Sequence, residues 1–216
     1  MTPPDAPTVI LADGDFPTHP RPLAILRAAG RIVCCDGAAV SLLAAAGRLP
    51  DHVVGDLDSL PAGFRDRFPD RVVHIPGQDD NDLAKAFAFC LGKGWTAPAI
   101  LGATGHREDH ALGNIGHLFD FAERDPAVTM ATDRGLFTPV APAAGKTARR
   151  FSSHAGEAVS LFADSPQTRV TVRGLHWPLD AASLPRWWSG TLNVSEGDAF
   201  DVEAEHGVVL VYQAYA

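Results

Sequence analysis

The chain has 216 residues, enough for one large domain or two modest ones with a sizeable buried core. Its formal net charge is −8, and its basic residues form no cluster larger than the Arg149-Arg150 pair. A nucleic-acid partner needs a positive face, so this composition argues against one, and an anionic substrate would need a metal ion to bridge it to the acidic protein.

The cysteines and the N-terminal residues predict a cytoplasmic protein. Cys34, Cys35 and Cys90 fall in apolar patterns without metal-type spacing, so we expect reduced core residues. Residues 1–5 have neither the basic nor the apolar region of a signal peptide, and no run is long enough to span a bilayer. We therefore expect no membrane partner.

Strand and helix patterns alternate through the first part of the chain. The predicted strands are 8–12, 31–35, 52–54, 71–75, 98–101 and 128–131, and the predicted helices are 22–29, 38–46, 80–91 and 110–122. In the last helix, the residues expected to face inward are Leu112, Ile115, Leu118 and Phe119. Strands separated by helices of this length form a parallel sheet, so we predict an α/β/α nucleotide-binding domain over residues 1–138.

The pattern changes after residue 138. Residues 139–150 are rich in Pro, Ala and Gly without a clear period, which is typical of a linker. Beyond it, short strand patterns separated by Gly or Pro predict a small all-β sandwich over residues 151–216. Trp187 and Trp188 lie between two of these strands, and adjacent tryptophans in a polar loop cannot both face one core, so we expect one to stack on a ligand or a partner chain.

The strand that ends at Gly55 leads into a turn with two aspartates, Asp56 and Asp58. In a nearly extended chain, side chains two residues apart point the same way. Two carboxylates that close repel each other unless a cation lies between them, and a hard divalent cation is the usual one. The alternative interpretation is a solvated turn, because Asp and Ser are ordinary turn formers.

Acidic residues follow each of the first five predicted strands. They are Asp13, Asp15, Asp36, Asp56, Asp58, Asp79, Asp80, Asp82 and Asp109. Asp79 or Asp80 could cap the helix that follows the fourth predicted strand, but this explains one aspartate and not the whole set. The carboxyl ends of parallel strands face a common crevice, so we predict a shared metal–phosphate site, and magnesium suits such a set of carboxylates.

Two basic residues accompany these carboxylates. Lys85 lies one helical turn beyond Asp82, so both can face the same crevice, and Arg107 offers a forked donor for a phosphate. The alternative for Lys85 is a surface ion pair with Asp82. His106 and His110 are four residues apart and would suit zinc if both were helical, but Gly105 indicates the start of a loop there, so His110 is interpreted as a helix-end or nucleotide contact or as a plain surface histidine.

Four motifs in this order resemble those of the thiamine pyrophosphokinases. They are Asp36-Gly37-Ala38-Ala39, the residues 50–59, the residues 78–86 and the residues 105–110. The later segments 170–179 and 190–193 are similar to the thiamine-binding domain of that family. The resemblance covers nearly the whole chain.

This resemblance implies a homodimer with active sites between the subunits. It also implies magnesium-dependent transfer of diphosphate from ATP to the hydroxyl of thiamine, which gives thiamine diphosphate and AMP. By position, the residues implied to hold magnesium are Asp56, Asp58, Asp79 and Asp82, and those implied in catalysis are Asp58, Asp82, Lys85 and Arg107. The residues implied to bind the nucleotide are Asp36, Gly37, Asn81, Asp109 and His110, and those implied to bind thiamine are Trp187, Trp188, Thr191 and Asn193.

The chain departs from the family pattern at a few positions. Leu192 stands where the family has a serine that helps to hold the thiamine pyrimidine, and His106 replaces a common glycine. The alternatives to thiamine diphosphokinase activity are therefore the same chemistry on another heterocyclic alcohol such as a hydroxymethylpterin, a nucleotide sensor without turnover, and a metal-dependent phosphohydrolase.

Overall fold

The computed structural model describes residues 6–77, 79–142 and 145–216. They fall into two compact units of a mixed α/β protein. The first contains the described residues up to His117 together with Met130–Asp133, and the second contains Leu118–Thr129 and the described residues of Arg134–Ala216. None of the helices in the described part of the chain is long and apolar enough to cross a membrane.

A parallel sheet forms the centre of the first unit. Its strands are β1 (Thr8–Leu11), β2 (Arg31–Cys35), β3 (His52–Gly55), β4 (Val72–His74), β5 (Ala99–Leu101) and β6 (Thr129–Ala131). They lie in the order β6-β5-β1-β2-β3-β4, and β1 pairs in parallel with both β2 and β5. Every residue of β1 and β2 is buried, as expected for a sheet covered on both faces.

Five helices connect or follow these strands. They are α1 (Pro20–Ala28), α2 (Ala38–Ala46), α3 (Ala62–Arg67), α4 (Asp82–Gly92) and α5 (Glu108–Arg124). Asn81 caps the start of α4, because its Oδ1 accepts a hydrogen bond from the Ala84 amide at 3.0 Å and so satisfies an N–H of the first turn. The side chains of Leu83 and Phe87 are buried and attach the helix to the core of the unit.

The inward-facing pattern predicted for the last helix is wrong at Leu112. This side chain is 57% exposed, whereas Leu118 is fully buried. The apolar spacing is correct, but the buried side chains of α5 all lie in the second half of the helix, at Leu118, Phe119, Phe121 and Ala122.

The second unit consists mainly of antiparallel strand pairs. Its strands are β7 (Gly135–Val140), β8 (Lys146–Ser152), β9 (Ala158–Ala163), β10 (Arg169–Arg173), β11 (Leu179–Ala182), β12 (Gly190–Val194), β13 (Ala199–Glu205) and β14 (Val209–Ala214). Four of these strands are neighbours in the order β12-β9-β14-β7 within a larger sheet, and the other four form a separate sheet of order β11-β10-β13-β8. Residues of both sheets, such as Leu161 and Val202, belong to one hydrophobic cluster.

Two of these strands occupy much of the stretch 139–150 for which the sequence predicts a linker. β7 ends at Val140, and β8 begins at Lys146 and pairs with β13 over its whole length. β8 exposes five of its seven residues, so it lacks the apolar alternation by which a strand is recognised in a sequence.

Candidate active site

A cavity of about 590 Å³ opens beside the carboxyl ends of β1, β2, β3 and β5. Ligands of open parallel sheets bind at this edge, because the loops that leave the strands converge there. The predicted site residues that line it are Asp36, Asp56, Asp58, Asp79, Asn81, Asp82, Lys85, Arg107 and His110. Gln78, which begins one of the four sequence motifs, lies outside the described residues.

Three carboxylates meet in this cavity. Asp36, Asp56 and Asp82 each offer an oxygen atom, and these three atoms lie within 4.8 Å of one another. The residues come from the ends of β2 and β3 and from the first residue of α4. Such a set of hard oxygen ligands fits a divalent cation of the magnesium type.

Asp36 gives this fit a more specific basis. Its side chain is only 3% exposed, and its Oδ1 is buried without a hydrogen-bond partner, while its Oδ2 accepts a bond from the Ser59 amide at 2.9 Å. Its backbone has a φ of 30°, which costs a non-glycine residue conformational energy. A buried carboxylate oxygen without a donor is unfavourable unless a cation coordinates it.

Lys85 lies among the same carboxylates. Its Nζ is 2.9 Å from Oδ1 of Asp82 and 3.8 Å from Oδ2 of Asp56, and its side chain is 8% exposed. Burial alone would lower the pKa of Lys85, but the hydrogen bond to Asp82 and the charges of the neighbouring aspartates outweigh it, so the pKa lies above its ordinary value. The lysine is therefore charged at neutral pH, and it offsets only part of the negative charge of the cavity.

Burial, together with neighbouring negative charge, raises the pKa of two carboxyl groups of the cavity. Burial raises the pKa of Asp36 against the hydrogen bond from Ser59, and neighbouring carboxylates raise it further. Burial also raises the pKa of Asp13, which His106 opposes and Asp82 reinforces. A bound cation would favour the ionised form of both groups.

Asp58 and Asp79 line the cavity outside the three-carboxylate group. The Oδ1 of Asp58 accepts a hydrogen bond from the Ser59 hydroxyl at 2.9 Å. The backbone amide of Asp58 donates to Oδ1 of Asp56 at 3.3 Å, which orders the turn after β3. Direct coordination of a metal by Asp58 or Asp79 therefore stays a prediction.

Arg107 and Asp109 form an exposed, two-pronged ion pair. The Nε and Nη2 of Arg107 lie 3.0 Å and 2.5 Å from the two carboxylate oxygens of Asp109. This pairing raises the pKa of Arg107 and lowers that of Asp109. Arg107 lines the cavity, and Asp109 holds its guanidinium.

Helix α5 begins at Glu108, so His106 and His110 do not share a helical face as zinc ligands would. His106 has a φ of 57° in the loop, and its Nε2 lies 3.4 Å from Oδ1 of Asp15. The His110 side chain lines the cavity at the start of the helix.

Gly37 lies close to the carboxylate of Asp13, and its contact with the nucleotide stays a prediction. A Cβ atom built on Gly37 would collide with the carboxylate of Asp13, which itself lines the cavity. The glycine thus leaves room for the approach of Asp13 to the backbone.

Asn114 also lines the cavity, although no motif in the sequence singles it out. Its Nδ2 donates to the backbone oxygen of Ala103 at 2.8 Å, and its Oδ1 accepts from Nδ2 of Asn81 at 2.9 Å. The available signal was its position four residues after His110, on the same face of the helix.

The predicted thiamine-binding residues lie in the second unit. Trp187 is 41% exposed and packs its ring at 5.4 Å from that of Phe162, whereas Trp188 is 69% exposed. The hydroxyl of Thr191 donates to the backbone oxygen of Trp188 at 2.8 Å. Trp188 therefore presents an accessible aromatic surface on an anchored loop.

Asn193 is engaged by the backbone around it. Its Oδ1 accepts from the amides of Trp177 and Val194, and its Nδ2 donates to the Trp177 oxygen at 2.8 Å. The neighbouring Leu192 is 80% exposed and has a φ of 63°, so a large apolar side chain stands out from an irregular point of β12.

Comparison with known proteins identifies relatives of both units. The family model described as "Thiamin pyrophosphokinase, catalytic domain" matches residues 24–130, and the model described as "Thiamin pyrophosphokinase, substrate-binding domain" matches residues 135–212. Thiamin pyrophosphokinase 1 of Caenorhabditis elegans is 30% identical over 97 residues, which cover 42% of this chain and 40% of that protein. The match thus spans less than half of the length of this relative.

Solved structures share the fold over nearly the whole chain. The thiamin pyrophosphokinase of Geobacillus thermodenitrificans has a TM-score of 0.76 and 22% identity, with 97% of both chains covered. The enzyme of Candida albicans has a TM-score of 0.75 and 16% identity, with 100% of this chain and 95% of that chain covered. At these identities the structural likeness speaks for the fold.

Proposed function

Because the chain belongs to the thiamin pyrophosphokinase family of ATP-dependent diphosphotransferases, we propose that it transfers diphosphate from ATP to the hydroxyl of thiamine. The products are thiamine diphosphate and AMP. The observation that carries this proposal is the cluster of the carboxylates of Asp36, Asp56 and Asp82, in which the Oδ1 of Asp36 is buried without a hydrogen-bond donor. Lys85 lies beside this cluster.

In this proposal each unit binds one of the two substrates. The first, an α/β/α nucleotide-binding domain, binds ATP, and the second, a β-sandwich, binds the acceptor. The matched family models support this division, because one ends at residue 130 and the other begins at residue 135. The boundary at residue 138 and the linker role of 139–150 remain predictions.

The residues that would hold magnesium are Asp36, Asp56 and Asp82, with Asp58 and Asp79 nearby. When bound, the metal would supply positive charge that offsets the negative charge of the phosphate oxygens. The buried Oδ1 of Asp36 supports this assignment, and it adds Asp36 to the ligands that the resemblance implies.

Lys85 and Arg107 act on the phosphates. Lys85 is held charged among the carboxylates and offers N–H donors to a phosphate oxygen. Arg107 exposes a planar guanidinium at the rim of the cavity, where Asp109 holds it in place for a phosphate. Asn81 and His110 also line the cavity and would contact the nucleotide.

The reaction is an in-line attack of the hydroxyl on the β-phosphorus of ATP. A bond forms between the hydroxyl oxygen and the β-phosphorus, and the bond from that phosphorus to the α–β bridging oxygen breaks, so AMP leaves with the bridging oxygen. We assign Asp58 as acceptor of the hydroxyl proton, because it lines the cavity outside the three-carboxylate group and a metal-bound carboxylate is a poor base.

The acceptor ring stacks on an exposed tryptophan of the second unit. Trp188 has the larger accessible surface and Trp187 the better anchored ring, with Thr191 and Asn193 shaping the loop beside them.

We further propose a homodimer with active sites between the subunits. We also propose that the protein acts in the cytoplasm. The three cysteines of the chain are buried and form no disulfide, which suits a reducing compartment.

One assay tests the acceptor. The protein is incubated with ATP and Mg²⁺, with thiamine, with a hydroxymethylpterin or with no acceptor, and AMP and the phosphorylated products are measured. Thiamine-dependent release of AMP with formation of thiamine diphosphate supports the proposal. Turnover with the pterin alone, phosphate release without an acceptor, or ATP binding without turnover would each replace it by the corresponding alternative.

A further inference from the structure

Asn114 connects two segments that border the cavity from different sides. Its Nδ2 donates to the backbone oxygen of Ala103, in the loop that follows β5, at 2.8 Å. Its Oδ1 accepts from Nδ2 of Asn81, immediately before α4, at 2.9 Å. One amide side chain thus fixes the distance between the loop that leads to Arg107 and the helix that carries Asp82 and Lys85.

The hydrogen bonds form a directional relay. Asn114 donates to Ala103 and accepts from Asn81, and Asn81 in turn accepts from the Ala84 amide at 3.0 Å. An amide has one oxygen and one NH₂ group, so the bond from Asn81 to Asn114 orients the oxygen of Asn81 toward the helix. Asn81 is exposed, and its bond to Asn114 ties this helix cap to α5.

The first helical residue tolerates little displacement. A Cβ atom built on Gly55 would stand 2.9 Å from both Cγ and Oδ2 of Asp82, so the carboxylate already packs against the end of β3. A small shift of the helix start would move Asp82 out of the group that it forms with Asp36 and Asp56, and Lys85 would move with it.

We propose that Asn114 is a positioning residue that, through Asn81, fixes the start of α4 so that Asp82 and Lys85 meet the other carboxylates of the cavity. The inference rests on the proposed function in one respect, namely that this carboxylate group holds a divalent cation. The inference adds Asn114, which does not itself bind the cation but on which the positions of the cation-binding carboxylates depend.

The test measures Mn²⁺ affinity, by electron paramagnetic resonance of the free ion, in the full chain without ATP or acceptor. Asn114→Ala should weaken Mn²⁺ binding roughly tenfold, as the loss of outer partners of metal ligands does. Asn81→Ala should weaken it by a similar factor, and the double variant should lose no more than the weaker-binding single variant, because both changes break one relay. Amide hydrogen exchange at Ala84 should become faster in all three.

Gln213→Ala is the matched control. Its Nε2 also makes two hydrogen bonds, to the backbone oxygen of Ser152 and to Oε2 of Glu157, but in the second unit. Mn²⁺ affinity should stay within about twofold of the parent in this variant, a difference small on the tenfold scale expected of outer partners. If Asn114→Ala does not fold, Asn114→Ser replaces it, because a hydroxyl is too short to reach both partners.

Equal Mn²⁺ affinity in Asn114→Ala and the parent would overturn the proposal. Additive losses in the double variant would overturn it too, because they would mean that the two amides act separately. The measurement needs neither ATP nor thiamine, so a protein that shows the coupled loss but makes no thiamine diphosphate contradicts the proposed function alone.

Discussion

The carboxylate of Asp82 lies against Gly55, so close that a Cβ atom on the glycine would stand 2.9 Å from Cγ of the aspartate. The backbone of Gly55 does not have the positive φ at which glycine is favoured, so the close approach of Asp82 is what requires a glycine. The end of β3 and the beginning of α4 are fitted to each other at the point where the carboxylates meet.

Gly55→Ala should therefore damage the site more than the fold. The methyl group displaces the Asp82 carboxylate, and a misplacement of about 1 Å can cost roughly 100-fold in turnover. Gly92→Ala is the control, because nothing lies within 4 Å of its added Cβ and alanine in a helix gains about 0.5–1 kcal/mol. Steady-state kinetics and urea denaturation of both variants check this, and full activity in Gly55→Ala would contradict it.

Asp82→Asn should lower kcat by about 100-fold or more, because it removes a charge from the group that faces the transferring phosphates. The free energy of unfolding should change by less than about 1 kcal/mol, since the amide oxygen can still accept from Lys85. Asp70→Asn, in an exposed short 3₁₀ turn away from the cavity, is the control for loss of one charge. Turnover equal to that of the parent would refute the role of Asp82.

Asp36→Asn should stabilise the metal-free protein at neutral pH. Burial raises the pKa of Asp36 above its ordinary 3.8, so the folded protein holds this proton more tightly than the unfolded chain. Ionisation of the buried carboxyl therefore lowers the free energy of unfolding. This loss of stability is absent below pH 3.8 and complete above the raised pKa of the folded state. The gain of the variant should therefore be present at pH 7 and disappear as the pH falls toward 4, as thermal unfolding in EDTA would show.

The same substitution should remove the response to magnesium. Millimolar Mg²⁺ should raise the Tm of the parent, because a ligand that binds only the folded state stabilises it. The Tm of Asp36→Asn should respond much less, since its side chain offers one neutral oxygen in place of a carboxylate. An equal rise in both proteins would show that Asp36 does not hold the metal.

Trp188→Ala should raise the KM for thiamine by about 3- to 10-fold, the loss expected from one aromatic stacking contact. The side chain is 69% exposed, so its removal should leave the free energy of unfolding nearly unchanged. Trp188→Phe should retain most of the affinity, because it keeps an aromatic face. An equal rise in the KM for ATP would indicate a general disturbance instead of loss of an acceptor contact.

The sequence predicts the edge of the sheet at which the aspartates gather, because residues that follow parallel strands must meet there. It does not predict which oxygen atoms approach one another. Asp36 joins Asp56 and Asp82 through the strained turn after β2, and Asp58 points its side chain to Ser59 instead. These choices depend on φ values and hydrogen bonds that residue spacing does not encode.

Other parts of the structure are hidden from sequence for different reasons. β8 is mostly exposed and is stabilised by pairing along β13, so it resembles a linker in composition. Leu112 fits the apolar spacing of α5, but the buried side chains of this helix begin only at Leu118. Asn114 acts through amide hydrogen bonds to residues 11 and 33 positions away, which no local pattern reveals.

The most direct test of the account is the fate of a label on the γ-phosphate of ATP. With thiamine and Mg²⁺, the account predicts that the label appears in thiamine diphosphate, one equivalent for each AMP released, and that none appears in thiamine monophosphate or free phosphate. Label in free phosphate, or ADP as the nucleotide product, would contradict the transfer of an intact diphosphate.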